Sequence, residues 1–98
     1  SAMPIIKLSK NKVYHIDKGW NYLLTPKEGL DIIAMLENID SIKKIYLTDK
    51  NSKIIASYPK SKKILLKFLE ENNYFYLYST KSFILKINST SISDKCQE

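Results

Sequence analysis

Two neighbouring segments, residues 74–78 and 83–88, alternate between apolar and other side chains. Alternation with a period of two is typical of a β-strand that buries one face. We therefore predict two strands, the first with Phe75 and Leu77 on its buried face and a row of tyrosines on the other. The buried face of the second strand is predicted to consist of Phe83, Leu85 and Ile87.

The residues between these strands, Ser79 to Ser82, are polar and predict the turn of a β-hairpin. A three-residue loop over 80–82 pairs Leu77 with Leu85 and keeps both apolar faces on one side. A two-residue loop would exchange the faces, because a slip of one residue turns every side chain over. The outward face of this hairpin is then expected to comprise Tyr74, Tyr76, Tyr78, Ile84 and Lys86.

Two further hairpins are predicted earlier in the chain, from short apolar segments that flank polar turns. The first pairs Ile5–Leu8 with Val13–Ile16, and the second pairs Ile42–Thr48 with Ile54–Tyr58. In the second hairpin Ile45 and Leu47 alternate with polar or aromatic residues, so we expect both side chains to face the core.

The most specific local signal is the segment Thr25-Pro26-Lys27-Glu28, which has the residue types of a helix N-terminus. Thr25 can cap the helix, Pro26 fits the first helical position, and Glu28 completes a capping box. Apolar residues follow at helical spacing, namely Ile32, Ile33, Leu36 and Ile39. We predict a helix that begins here, packs on a sheet through this stripe and ends at Asn38 or Asp40.

A second helix is predicted from Ser61 to about Glu71, with an apolar stripe of Ile64, Leu65, Phe68 and Leu69. The resulting order is ββ-α-ββ-α-ββ. The simplest fold is an α+β two-layer sandwich, a mainly antiparallel sheet with both helices packed on one face. The tyrosines then lie on the open face. Trp20 is expected to anchor the core, with a place in a ligand-binding wall as the alternative.

The 98 residues fit one domain, which we expect over residues 3–88. Ser1 and Ala2 before Met3 are typical of a scar left by tag cleavage, and residues 89–98 are expected to form a polar, disordered tail. No apolar segment is long enough to span a membrane, and the first residues lack the features of a signal peptide. We therefore expect a soluble, cytoplasmic protein without a membrane partner.

All 16 basic residues are lysines, and the net charge is +6. Lysine, isoleucine, asparagine and tyrosine are all abundant, which is typical of an AT-rich genome, whether viral, plasmid or cellular. Codon composition therefore explains part of the positive charge, which does not by itself indicate a ligand. The charge is nevertheless concentrated in residues 43–67, and the members of this basic region that could contact phosphate are Lys43, Lys44, Lys53, Lys60, Lys63 and Lys67.

The sequence offers little support for catalysis. His15, the only histidine, shares a strand face with Asp17, and such a pair can act as a general base. No nucleophile, glycine-rich phosphate loop or metal-binding motif accompanies the pair, and Cys96 is the only cysteine. We predict a protein that is not an enzyme, has no catalytic residues and needs no cofactor or metal.

Three interpretations of the tyrosine row Tyr74, Tyr76 and Tyr78 remain open. Tyrosines are enriched at protein interfaces, and a sheet face that pairs with a second copy predicts a homodimer. Aromatic rings on an open sheet beside lysines are also typical of single-stranded nucleic-acid binding. The row could instead be buried within the monomer. We predict a small interaction protein that self-associates through this face, with nucleic-acid binding as the alternative function.

Overall fold

The structure, a computed structural model, describes residues 3–60, 73–88 and 91–94. Within these residues the chain forms eight strands and one short helix. In chain order they are β1 (Ile5–Lys7), β2 (Val13–Ile16), β3 (Gly19–Leu24), α1 (Ile32–Asn38), β4 (Ile42–Thr48), β5 (Ile54–Tyr58), β6 (Tyr74–Ser79), β7 (Phe83–Asn88) and β8 (Ser91–Asp94). The predicted second helix, from Ser61 to Glu71, lies outside the described residues, as do Lys62, Lys63, Lys67 and Cys96.

The strands form two sheets. The first has five strands in the order β1-β3-β6-β4-β5, and the second has three in the order β2-β7-β8. The pair β1 and β3 is parallel, while every other pairing between these strands is antiparallel. Strand β6 lies at the centre of the first sheet, where its residues pair with β3 on one side and β4 on the other.

The inner faces of the two sheets share one apolar core. Phe75 and Leu77 of the first sheet and Phe83 and Leu85 of the second have no exposed surface and belong to the same cluster of buried side chains. Helix α1 adds Ile32 and Met35 to this cluster and lies beside β8. Removal of this apolar surface from water is the main force that holds the two layers together.

The predicted α+β fold is wrong. The chain is mostly sheet, and the part that the structure describes contains two sheets and a single short helix instead of one sheet covered by two helices. Part of the reason is β3, which the sequence did not predict as a strand and which pairs along its whole length with β6. Ser91–Asp94, in the segment expected to be a tail, forms β8 and pairs with β7.

The predicted strands around residues 74–78 and 83–88 are confirmed, but the hairpin between them is wrong. Strand β6 belongs to the first sheet and β7 to the second, so Leu77 does not pair with Leu85. The chain changes sheet at residues 79–82. Buried Ser79 places its Oγ 2.9 Å from Oγ of Ser41, and the Thr80 N–H donates to the Ser41 carbonyl at 2.9 Å. These bonds hold the corner against the turn before β4.

The first predicted hairpin is wrong for the same reason. Strands β1 and β2 exist but lie in different sheets, where β1 pairs with β3 and β2 with β7. The loop between them follows the first sheet as far as Leu8, whose N–H donates to the Leu24 carbonyl at 3.0 Å. It then reaches the second sheet at Asn11, whose N–H donates to the Ile87 carbonyl at 2.7 Å.

The second predicted hairpin is confirmed, with β4 and β5 at the expected bounds and Ile45 and Leu47 buried. Its turn is held by Asp49, whose Oδ1 accepts the N–H groups of Asn51 at 2.8 Å and Lys53 at 3.0 Å. An aspartate that binds backbone N–H groups in this way is a common stabiliser of turns. This turn could therefore be recognised from the residue types of the sequence alone.

The predicted start of α1 is wrong, whereas its end at Asn38 is confirmed. Of the predicted stripe, Ile32 and Ile39 are buried, while Ile33 and Leu36 are only half-buried. Thr25 does not cap a helix. It extends the ladder between β3 and β6, because its Oγ1 accepts the Asn73 N–H at 2.7 Å and its own N–H donates to the Asn73 carbonyl at 2.9 Å. Residues 26–29 form a turn, and the helix begins after Asp31, whose Oδ1 accepts the Ala34 N–H at 2.9 Å.

Substitutions at Asp31 and at Glu28, the residue of the predicted capping box, should separate a helix that begins after Asp31 from one that begins at Pro26. Asp31→Ala is expected to lower the free energy of unfolding by about 1 kcal/mol, because the Ala34 N–H loses its acceptor. Glu28→Ala, at an exposed position of the turn, is expected to have little effect. Urea denaturation of both variants tests this, and a larger loss from Glu28→Ala would show that the helix begins at Pro26.

Candidate functional site: an aromatic sheet face

The outer face of the first sheet carries six aromatic side chains. We call this set the aromatic face; its members are Trp20, Tyr22, Tyr46, Tyr74, Tyr76 and Tyr78. They lie outward because each alternates along its strand with residues whose side chains enter the core. The tyrosine row of β6 is the centre of this face, and β3 and β4 supply the other three rings.

The strand register arranges these residues in three rows that cross β3, β6 and β4. The first row is Trp20, Tyr78 and Lys44, the second is Tyr22, Tyr76 and Tyr46, and the third is Leu24, Tyr74 and Thr48. Directly opposed side chains on neighbouring strands are close enough to pack against each other. The rows therefore form a continuous surface of rings instead of isolated aromatic positions.

Ring contacts join the rows. Tyr22 stacks on Tyr76 with 4.3 Å between ring centroids and on Tyr74 with 5.8 Å. Trp20 lies across β6, where its centroid is 5.2 Å from that of Tyr78 and 5.1 Å from that of Tyr46. Stacked and edge-on arrangements are those that aromatic pairs favour, so the rings support one another.

The expectation that Trp20 anchors the core is wrong. Its side chain lies on the outer face and remains 37% exposed, and the five tyrosines beside it are half-buried. The third interpretation of the tyrosine row, burial within the monomer, is met only in part: Trp20 packs against Tyr76 and Tyr78, but the tyrosines of the row keep part of their surface exposed. The alternative for Trp20, a place in a ligand-binding wall, stays a prediction.

An apolar groove crosses this face. It has a volume of about 250 Å³ and is lined by Met3, Trp20, Tyr46, Ile54 and Tyr76. Met3 and Ile54 are 41% and 53% exposed, and Ile5, at the β1 edge of the same face, is also exposed. The face therefore combines a depression with protruding aliphatic side chains, which is unusual for a surface that meets only water.

Charge on the aromatic face is positive. The Lys44 ammonium lies 5.9 Å from the centroid of the Tyr78 ring, within the range of a cation–π contact. Lys7 lies outward at the β1 edge, in register with Leu24. Among the described residues, neither the three rows nor their extensions onto β1 and β5 include a carboxylate. An anionic or aromatic group can thus approach this face without like-charge repulsion.

Two residues that the sequence assigned to the tyrosine face lie elsewhere. Ile84 and Lys86 are on β7 and pair with His15 and Val13 of β2, so they belong to the outer face of the second sheet. The whole shared core separates them from the tyrosines. Ile84 and Lys86 were assigned to the tyrosine face because β6 and β7 were expected to pair as a hairpin, and these strands do not pair.

The lysines predicted to contact phosphate are divided by the fold. Lys43, Lys44 and Lys60 are exposed near the start of β4 and the end of β5, whereas Lys53 lies in the turn at the other end of that hairpin. At about 3.4 Å per residue, the length of β4 separates the two groups by more than 15 Å. Lys63 and Lys67 lie outside the described residues.

His15 and Asp17 are brought together as the sequence predicts, with 3.1 Å between Nε2 and Oδ1. Both side chains are largely exposed, at 65% and 73%. Within the part of the chain that the structure describes, no three His, Cys, Asp or Glu side chains cluster as a metal site would require. No helix among these residues is long and apolar enough to cross a membrane.

No protein-family model, curated protein or solved structure matches this chain significantly.

The sequence reasoning missed Trp20, Tyr22 and Tyr46 as members of one face with the tyrosine row. The sequence does contain a strand signal here, because the apolar residues Trp20, Tyr22 and Leu24 recur with a period of two. The polar residue Asn21 weakened this signal, because it occupies an inward position where an apolar residue is expected. Its amide is satisfied locally, since it accepts the Asp17 N–H at 3.0 Å and donates to the Asp17 carbonyl at 2.9 Å. A buried polar residue is thus compatible with an inward strand position when its bonds are made nearby.

The ring contacts predict energetic coupling across the face. In a double-mutant cycle, Tyr22→Ala and Tyr76→Ala should interact by about 1 kcal/mol, because the first substitution already removes the stacked partner of the second. The control cycle combines Tyr22→Ala with Tyr78→Ala, because Tyr22 stacks on Tyr74 and Tyr76 whereas Tyr78 packs against Trp20, and it is expected to be additive within about 0.5 kcal/mol. Urea denaturation supplies the free energies, and equal coupling in both cycles would contradict the packing of these rings.

Proposed function

We propose that this chain is a protein-interaction domain that self-associates through the aromatic face, most simply as a two-fold homodimer. The observation that carries the proposal is the continuous ring surface, with Trp20 exposed at the apolar groove. Tyrosine and tryptophan are enriched at the centres of protein interfaces, because they offer large contact areas at a low cost in conformational entropy.

The shape of the aromatic face supports a second copy as the partner. The groove offers an apolar depression, and Ile54 and Met3 protrude at its margin. In a two-fold interface each surface meets its own counterpart, so a face that contains both a depression and protrusions can complement itself. The lysines of the face can be directed at the partner's tyrosine rings, as Lys44 already is within one chain.

The test compares two edge-strand residues of similar exposure on opposite sides of the molecule. Ile54, 53% exposed on β5, lies at the aromatic groove, while Val13, 58% exposed on β2, lies on the outer face of the second sheet. Ile54→Asp is expected to convert the dimer into a monomer at tens of micromolar, because it places an unpaired charge in the apolar contact. Val13→Asp should leave the dimer intact. Light scattering after size-exclusion chromatography measures both masses.

Tyr76→Asp, at the centre of the face, is expected to abolish self-association as well. Far-ultraviolet circular dichroism and the urea midpoint show whether that variant is folded, and Ile54→Asp keeps the test independent of its stability. A monomeric wild type at tens of micromolar, or equal dissociation by Ile54→Asp and Val13→Asp, would rule out self-association through this face.

A further inference from the structure

The fold brings lysines from four separate segments to one end of the first sheet. At this end β3 and β4 begin and β6 stops, because Gly19 and Ile42 are both in register with Ser79. We call it the basic end; its exposed members are Lys18, Lys43, Lys44, Lys60 and Lys81. Lys18 and Lys81, which lie outside the basic region of the sequence, reach it only through the fold.

Backbone contacts fix the relative positions of these lysines. The Lys18 N–H donates to Oγ of Ser82 at 3.1 Å, which places Lys18 beside the turn that carries Lys81. Thr80 is bonded to Ser41, two residues before Lys43. Neighbouring strands are about 4.8 Å apart, so adjacent lysines around this end are spaced closely enough to contact successive phosphates of one strand.

The basic end adjoins the exposed ring of Trp20 and the half-buried ring of Tyr78. Lys44 links the two, because it is a member of the basic end and also lies over the Tyr78 ring, whose centroid is 5.2 Å from that of Trp20. Lysines are also present at the opposite end of the sheet, where Lys50 and Lys53 share the turn with Asp49. The juxtaposition with an exposed tryptophan, rather than the number of lysines, distinguishes the basic end.

We infer that the basic end and the adjoining row of Trp20 and Tyr78 bind single-stranded nucleic acid. The lysines contact phosphates and release counterions, while unpaired bases stack on the exposed rings, which every base can do irrespective of sequence. A duplex does not expose its base faces and could use only the lysines. The absence of arginine from the chain makes the contacts charge-based and independent of sequence.

This inference does not rest on self-association. Both involve Trp20, so a second copy and an oligonucleotide compete for part of the aromatic face. Ile54 lies away from the basic end, at the turn end of β5, where it pairs with Thr48. Ile54→Asn, which removes the apolar contact without adding a negative charge to the groove that Trp20 also lines, is therefore expected to weaken the dimer and retain oligonucleotide binding, which allows either proposal to fail without the other.

The first experiment measures binding of labelled oligothymidylate by fluorescence anisotropy, at protein concentrations below those at which the wild type dimerises. Lys18→Gln combined with Lys81→Gln is expected to weaken binding about tenfold and to reduce the slope of log K against log salt by about 1.4, the value for two lost contacts with single-strand phosphates. The control combines Lys50→Gln with Lys53→Gln and removes the same charge from the opposite end of the sheet. It should change the affinity less than about twofold.

The second experiment uses Trp20, the only tryptophan, as a probe of stacking. Oligothymidylate is expected to quench its fluorescence, whereas polyphosphate and polyglutamate, which offer charge without bases, should not. Three outcomes would overturn the inference. The two double variants could lose affinity equally, polyphosphate could bind as tightly as the oligonucleotide, or the oligonucleotide could bind without quenching Trp20. Tighter binding of polyglutamate would indicate an acidic protein partner instead.

Discussion

The structure depends on the way in which the apolar faces of β6 and β7 are buried. The two faces lie opposite each other across the core instead of side by side in one sheet. Side-by-side pairing would leave Phe75, Leu77, Phe83 and Leu85 on one surface that another layer must cover. Burial contributes about 25 cal/mol for each Å² of apolar surface removed from water, so two sheets that cover each other satisfy both faces at once.

This arrangement requires the chain to change sheet between consecutive strands, and polar side chains make the changes possible. Ser79 and Ser41 hold the corner between β6 and β7, and Asn21 holds the segment that returns the chain from β2 to β3. Each of these residues is buried, and each has a hydrogen-bond partner. Buried polar groups that are satisfied in this way favour one arrangement of the strands over others that would leave them unpaired.

The aromatic face follows from the same arrangement. The five-stranded sheet is covered on its inner side, and its rings remain half-buried or exposed on the outer side. Tyrosine suits this position, because its ring packs against neighbouring rings while its hydroxyl can bind water. The rings therefore keep accessible surface that the proposed partner could contact. The basic end lies beside this surface because Gly19 of β3 and Ile42 of β4 both pair with Ser79 of β6, which brings the ends of the three strands together.

The sequence by itself determined the local elements whose signals lie within a few residues. Periodicity of two marked β6 and β7 and identified their apolar faces, and the cluster of turn formers after Thr48 marked the hairpin of β4 and β5. The end of α1 at Asn38 and the burial of Ile32 and Ile39 were also evident. The proximity of His15 and Asp17 was also expected, although Asp17 lies just beyond the end of β2. Each of these features is fixed by neighbours along the chain.

Apart from the pairing of β4 with β5, only the tertiary structure decided which strands pair, which layer each one joins and which residues form the candidate site. Alternation shows that a strand has an apolar face, but the same apolar face can be buried by a helix or by a second sheet. The capping signal at Thr25 was equally ambiguous, since its hydroxyl binds the backbone of Asn73, 48 residues away. The aromatic face and the basic end likewise combine residues from β3, β4 and β6 and the turns beside them, because strand register is set by contacts between distant segments.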